Sequence, residues 1–354
     1  MSTNSHGYLN NSVNGAYLWE YYQNVSHKLG AIMTKTVILG AGVAGHTAAL
    51  HLRRMLGSEH EVVVISPNSK WNWIPSNIWV GIGQMSVKQV TFLLAPIYKR
   101  KGIEFHQAFA TELHGEGDSA TDQPYVTVRY TDANRQGQID KIEYDFLINA
   151  TGPKLNFAAT PGLGPDGNSW SVCTASHAEE TAKEFNKVLA KLKAGQNQTF
   201  LIGMGHGTCT CQGAAFEYTF NVEHELTKEG VRDKAEVIYI TNEERLGDFG
   251  MDGMNFGIKG NVVSSQTFTE SLFQERNVKA IMSAAIEKVD PGVVHYELVD
   301  GTKGQQSFDF AMLLPPFRGA DLKAFDRSGT DVSEEVFAPS GFMKVDADYT
   351  AKPY

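Results

Sequence analysis

A chain of 354 residues that is 42% apolar and 20% charged has ordinary globular composition and room for about two domains, each with its own core. Its net charge of −9 argues against nucleic acid as a partner, which calls for a basic face. The longest apolar runs, such as Phe310–Leu314, fall far short of the roughly 20 residues a membrane-spanning helix needs. Three cysteines do not make a disulfide framework.

Residues 1–33 are rich in Asn, Ser, Tyr and Gly, and they lack the basic start and apolar stretch of a secretory signal. They read as a loose extension, with Met33 as an alternative start. Residues 36–39 then form a β-branched apolar run. Gly40-Ala41-Gly42-Val43-Ala44-Gly45 follows, then a helical pattern over residues 47–56 and a second strand over 62–65. A G-x-G-x-x-G between strand and helix predicts a dinucleotide-binding turn. Gly40 permits the tight turn, Gly42 lets the backbone approach a pyrophosphate, and Gly45 lets helix and strand pack closely. Phosphates would rest on free N–H groups at the helix start. The acidic residue that normally ends the second strand is missing. Ser66 and Asn68 stand there instead, as ribose partners or simply as turn residues.

Further strands are expected from residue 102, at Tyr125–Tyr130 and at 144–149, the last a buried one running into Ala150-Thr151-Gly152-Pro153. There the chain either passes the first site and crosses to a second domain or makes a plain Gly-Pro turn. A helix over 176–192 and a strand over 199–202 lead to Gly203-Met204-Gly205-His206-Gly207, a second Rossmann-like start. This fingerprint is damaged: Thr208-Cys209-Thr210-Cys211 follows at once, and a histidine and two cysteines where a pyrophosphate should lie argue against a nicotinamide dinucleotide. Strands over 237–241, 278–289 and 293–299 finish this unit, and residues 308–314 lead back to the first. The expected fold class is α/β with two nested Rossmann-like dinucleotide-binding domains. Residues 34–155 would be the first part, 156–305 the second domain with the cysteines, and 306–354 an incomplete return. One more strand and a Gly-Asp turn are expected past Tyr354, so the sequence reads as truncated.

Four patches, in order, resemble the sulfide:quinone oxidoreductase family and its relative, the flavin subunit of flavocytochrome c sulfide dehydrogenase. They are Pro75-Ser76-Asn77-Ile78-Trp79, the segment Asn168–Cys173 with His177 four residues on, Cys211-Gln212-Gly213-Ala214-Ala215-Phe216-Glu217, and Leu314-Pro315-Pro316-Phe317-Arg318-Gly319. The resemblance implies FAD as cofactor, held by Gly40, Gly42, Ala44, Gly45, Ser66, Asn68, Pro75, Asn77, Ala110, Thr151, Gly152, Pro316, Phe317 and Gly319. It implies that Cys211 handles sulfide with Glu217 as its acid/base. Cys173 would face the flavin as a thiol, a persulfide or a covalent link, and His177 would handle protons beside it. Sulfide would be oxidised to polysulfide or sulfur, with a membrane quinone as acceptor. The protein would sit peripherally on the membrane, on the cytoplasmic rather than the periplasmic side, through a C-terminal segment not in this sequence. Assembly into a homo-oligomer stays open. There are departures. The family's third cysteine is not in this sequence, a histidine of the second domain is replaced by Asp248, and Cys209 is an addition.

The chemistry asks for a sulfur electrophile that HS⁻ attacks by exchange beside a two-electron sink. Cys211, ahead of a helix expected over 214–226, should gain thiolate character from the helix dipole, and a partly apolar setting would raise the Glu217 carboxyl into a useful range. Blander readings stand beside these: Glu217 as a surface helix residue, His177 as a first-turn residue, and Cys209–Cys211 as a strained small-ring disulfide. A zinc set of His206, Cys209, Cys211 and His224 matches the usual Cys-x₂₋₄-Cys spacing poorly, so no metal is expected. A type II NADH:quinone dehydrogenase is the competing enzyme, disfavoured by the broken second turn.

Overall fold

The computed structural model describes residues 33–346; the readings on the N-terminal extension and on the far C-terminus lie outside those residues. Strand β1 (Lys35–Leu39) carries Val37, Ile38 and Leu39, all fully buried, as a central parallel strand covered on both faces requires. Helix α1 (Val43–Leu56) returns the chain to β2 (Glu61–Ser66), which pairs with β1 in parallel. The small hairpin of β3 (Lys70–Asn72) and β4 (Thr91–Leu93) follows. Then come β5 (Glu104–His114), β6 (Tyr125–Tyr130), β7 (Ile139–Glu143) and β8 (Phe146–Asn149). They assemble in the order β7-β6-β5-β2-β1-β8. The expected buried strand is therefore an edge, and Phe146 is 58% exposed.

After the short β9 (Lys154–Leu155), helix α2 (Ala175–Lys193), β10 (Gln198–Met204), helix α3 (Gln212–Lys228) and β11 (Ala235–Ile240) form the second βαβ-type unit. The hairpin of β12 (Asn255–Ile258) and β13 (Asn261–Ser264), then β14 (Val278–Ile281), a meander of β15 (Ala284–Asp290), β16 (Val293–Leu298) and β17 (Lys303–Ser307), and β18 (Phe310–Leu314) complete it. The parallel sheet runs β14-β11-β10-β18, and its strands alternate between two cores. Leu201, Ile238, Ile240 and Leu313 pack toward the meander residues Ile286, Val289 and Val294. Phe200, Ile202, Tyr239 and Met312 pack toward the helices, against Phe185 and Tyr218. Both faces are buried, so the strands read as continuous apolar runs.

Three expectations change. The run 278–289 is two strands, broken where Ser283 turns with φ +54°. Residues 310–314 do not lead back to the first domain; β18 is an integral strand of the second sheet, paired with β10. The return comes after it, through β19 (Phe317–Arg318) on β9 and β20 (Lys323–Phe325) on β5. Nor is residue 155 a clean boundary. Ile78, Val80, Ile82 and Val90, from the first part of the chain, sit in the helix-side core of the second domain. The Tyr218 hydroxyl of α3 donates to the Gly81 carbonyl at 3.0 Å.

Candidate dinucleotide and thiol site

The two glycine turns face different surroundings. In the first, Gly40 has φ +98°, and a Cβ there would lie 2.1 Å from the Ala150 carbonyl oxygen; the Gly40 N–H donates to Ile65 O at 2.7 Å. A Cβ at Gly45 would lie 2.0 Å from Gly40 O. These two glycines are demanded by the chain itself. Gly42 is not: it is exposed, has an ordinary φ of −72°, and a Cβ there would meet nothing within 4 Å. With Gly42, Val43 and Ala44 all exposed at the start of a 14-residue helix, the turn presents free N–H groups to a phosphate. The residues fit a bound dinucleotide.

The second turn is closed on its own protein. A Cβ at Gly203 would strike Ile240 O at 1.8 Å, one at Gly205 would strike Leu163 Cδ1 at 2.4 Å, and one at Gly207 would strike Ala285 Cβ at 2.9 Å. The Thr208 N–H, a donor a phosphate would need, goes to His206 Nδ1 at 3.1 Å. From inside, the Asn242 amide donates to Gly207 O at 2.8 Å and to Cys209 O at 3.2 Å. Sequence reasoning saw the damage but missed the role of Asn242, which is recognisable only by its place two residues past β11.

The other candidate cofactor residues divide. Thr151 donates from both N–H and hydroxyl to Asn149 Oδ1, at 3.3 and 2.8 Å. It tightens the exit from β8, and Gly152 follows with φ +69° and open space around it. Pro316 is buried, with its carbonyl bonded by Asn156 N–H at 2.9 Å, and Phe317 pairs with Leu155. A Cβ at Gly319 would strike Gly341 O at 1.8 Å, so this glycine serves packing. Beside Pro316 and Phe317 lies a cleft of about 360 Å³. It is lined in part by Asn156, His206, Thr208, Pro316, Phe317 and Arg318, where the crossover meets the second turn. Pro75 is exposed and Ala110 sits at the bulge of β5. Asn68 is exposed, and its N–H bonds the hydroxyl of buried Ser66 at 3.4 Å, so the turn reading accounts for this pair.

Asn77 corrects its expectation. It is 1% exposed and exchanges amide hydrogen bonds with Asn72, at 3.0 and 3.1 Å, so its amide is buried and engaged within the protein. Asn72 Oδ1 also accepts from Ala175 N–H at 3.1 Å. The pair ties the segment before residue 80 to the start of α2, two residues past Cys173. Nothing in the local sequence signals that partnership.

The three cysteines, all free, converge on one apolar cluster: Cys209 lies within it, and Cys173 and Cys211 pack against it. The fold brings them there from the approach to α2 and from the turn leading into α3. The Cys209 Sγ–H donates to Leu314 O at 3.0 Å, at the end of β18 and just ahead of Pro315-Pro316-Phe317. Burial pushes the Cys173 thiol up to about 11 and the Cys209 thiol up to about 12. Cys211 is the N-cap of α3, as expected, but its thiol is also raised by burial. Loss of water against the core is the cause. His177 sits in the first turn of α2, its N–H accepted by Thr174 Oγ1 at 3.1 Å. Its ring lies edge-on to Phe157 at 5.7 Å, its Nδ1 is buried without a partner, and burial lowers its pKa. Glu217 does not have the apolar setting expected of it. It is exposed on α3, off the buried stripe formed by Gln212, Ala215, Tyr218, Thr219 and Val222. Among the described residues His206, Cys209 and Cys211 do not gather into a metal-holding group.

The profile of the pyridine nucleotide-disulphide oxidoreductase family matches residues 34–246. The chain belongs to that family. This pyridine nucleotide-disulphide oxidoreductase is 31% identical over 288 residues to the sulfide-quinone reductase of Aquifex aeolicus, covering 81% of this chain and 60% of that protein. It is 24% identical to the mitochondrial sulfide:quinone oxidoreductase of Mus musculus, covering 81% of this chain and 58% of the relative. The chain thus spans about 60% of the length of these curated relatives. The crystal structure of the Aquifex aeolicus enzyme superposes with a TM-score of 0.67 at 32% identity, over 81% of this chain and 60% of that one. The NDH2 structure from Plasmodium falciparum, at 18% identity and TM-score 0.62 over 82% and 56% of the two chains, shares the fold. Among the described residues no helix is long and apolar enough to cross a membrane.

Proposed function

We propose that this chain catalyses FAD-dependent oxidation of sulfide to polysulfide or sulfur, with a membrane quinone as electron acceptor. The observation that carries the reading is the pairing of one open glycine turn with three thiols in one apolar cluster, beside the strand that leads to Pro316 and Phe317. FAD, when bound, supplies the two-electron sink. The exposed face around Gly42 and Ala44 would hold its pyrophosphate, with Thr151, Gly152, Pro316 and Phe317 toward its ring. Cys211, half-buried where Cys209 is fully buried, presents the sulfur that HS⁻ attacks. Cys173 stands in the same cluster as the second sulfur. His177, held neutral by burial, would take a proton at its unpartnered Nδ1, and exposed Glu217 would pass protons to solvent. Peripheral attachment to the cytoplasmic face of a membrane completes the proposal.

Anaerobic visible spectroscopy tests it. Sulfide should bleach the flavin bands of the purified protein and a soluble quinone should restore them, while NADH should leave them unchanged. Bleaching by NADH and not by sulfide would transfer the reading to an NADH dehydrogenase and refute the role given to the thiols.

A further inference from the structure

We infer that Asn242 is the positioning residue of the thiol turn: its amide fixes the backbone of residues 207–209 so that Cys209 is held inside and Cys211 is presented. What the presented sulfur then does rests on the sulfide reading above, but the positioning does not. Two side-chain amides meet here, and their N–H groups are fully used. Asn242 Nδ2 donates to Gly207 O at 2.8 Å and to Cys209 O at 3.2 Å. Gln212, buried at the start of α3, donates from Nε2 to the same Cys209 O at 3.2 Å and to Asn242 Oδ1 at 3.5 Å. An amide nitrogen carries two hydrogens and a carbonyl oxygen takes two, so the Cys209 carbonyl is filled. The bond from Gln212 to Asn242 Oδ1 also sets which way the Asn242 amide faces, with its nitrogen toward the turn.

Asn242 can serve as a bracket because the backbone on both sides of it is pinned. Thr241 N–H donates to Ile281 O at 3.0 Å, Thr241 O accepts from Ala284 N–H at 2.9 Å, and Glu243 O accepts from Ser283 N–H at 2.7 Å. Gly207 is pressed against β15, where a Cβ on it would lie 2.9 Å from Ala285 Cβ. With the carbonyls of Gly207 and Cys209 both drawn to Asn242, the planar peptides that flank Thr208 and Cys209 are fixed. The Cys209 side chain then stays in the core, 1% exposed, with its Sγ–H on Leu314 O at 3.0 Å. Thr210 comes out to solvent, and Cys211 follows half-buried at the N-cap of α3. In a nucleotide-binding unit a phosphate orders such a turn through its N–H groups. Here an amide of the protein orders it through its carbonyls.

Two variants test this. Asn242→Asp keeps the size of the side chain, removes both donors and sets a carboxylate against two carbonyl oxygens; when protonated, the acid regains one donor. Asn242→Ala removes the donors and adds no charge. The purified protein, without sulfide, is labelled with N-ethylmaleimide between about pH 5 and about pH 8, a range that spans a carboxyl raised by facing acceptors. Trypsin places Cys209 and Cys211 on residues 194–228 and Cys173 on residues 155–183. Fragmentation of the first peptide gives the ratio of label on Cys209 to label on Cys211, compared with the parent at the same pH. Near the upper end of the range this ratio should rise by about tenfold or more in both variants, as the loss of two ordinary hydrogen bonds implies, while Cys173 is labelled at the parental rate. In Asn242→Asp the ratio should return toward the parent as the pH falls, and in Asn242→Ala it should not. A parental ratio in either variant near the upper end of the range overturns the inference. So does an equal rise at Cys173, which marks general loosening rather than a change in the turn, and so does a ratio in Asn242→Asp that is flat with pH. No sulfide enters the measurement, so its failure leaves the sulfide reading standing, and failure of sulfide to bleach the flavin leaves the bracket standing.

Discussion

The contrast between Gly42 and Gly45 gives a quantitative test of which glycine serves the ligand and which serves the fold. In Gly45→Ala the new methyl would lie 2.0 Å from Gly40 O. An ordinary carbon–oxygen contact is about 3.3 Å, so strand end and helix must open by about 1.3 Å. Both sides of the contact are backbone, which places the cost near the upper end of the 1–3 kcal/mol typical of overpacking, at about 3 kcal/mol. For a chain of this size that lowers Tm by roughly 4 °C. In Gly42→Ala the methyl meets nothing within 4 Å at an ordinary φ, so the stability of the flavin-free chain should stay within about 1 kcal/mol of the parent. The methyl would instead occupy the approach of the pyrophosphate and cost about 1–3 kcal/mol of binding, a weakening of roughly 5- to 150-fold. The assay pairs thermal melting, with and without added FAD, with the flavin-to-protein absorbance ratio. A Gly42→Ala protein that melts low without FAD, or that retains FAD with parental affinity, would refute the argument that this turn is open for a ligand.

Cys211→Ser should retain FAD and lose bleaching by sulfide; turnover at the parental rate would remove Cys211 from the chemistry. Because burial raises the thiols in the folded state, their contribution to stability is complete below the ordinary cysteine range of about 8.5. It is lost as pH rises through the folded values of about 11 for Cys173 and about 12 for Cys209. The urea midpoint should therefore fall above about pH 9 less steeply in Cys209→Ala than in the parent, and equal slopes would count against the burial. Maleimide labelling should modify Cys211 first and Cys209 last, as mapped by peptide mass. Asn77→Ala removes the two amide hydrogen bonds to Asn72, which keeps only Val90 O and the Ala175 N–H as partners, and should cost about 1–3 kcal/mol, read as a lower Tm together with faster labelling of Cys173.

The strands and the first turn were legible because their signals are local. A β-branched run such as residues 36–39, buried on both faces, has no other low-energy use, and the helix expected over 176–192 is found over Ala175–Lys193, with Thr174 as its N-cap. The glycines were legible only as a pattern. That Gly45 serves packing, Gly42 faces outward and Gly205 faces Leu163 depends on what folds over each turn, which spacing does not encode. The same limit explains Asn77, whose motif suggested a ligand while its amide was already engaged by Asn72. For Cys211, the helix terminus was correctly placed but the sign of the thiol's shift was not. Desolvation against Cys209 and its apolar neighbours is a property of the core rather than of the helix. The return to the first domain was placed too early because 310–314, a buried parallel strand, carries no mark of which sheet it joins.

The seating of Ile78, Val80, Ile82 and Val90 in the other domain's core bears on how the chain folds and moves. The helix-side core of the second sheet cannot close until a segment more than a hundred residues earlier in the sequence has arrived, so the two halves should unfold in one cooperative transition. A fragment made of residues 156–314 would expose the groove those four side chains fill. For the same reason the halves are not hinged bodies. Rotation of one against the other would pull these four side chains out of that core.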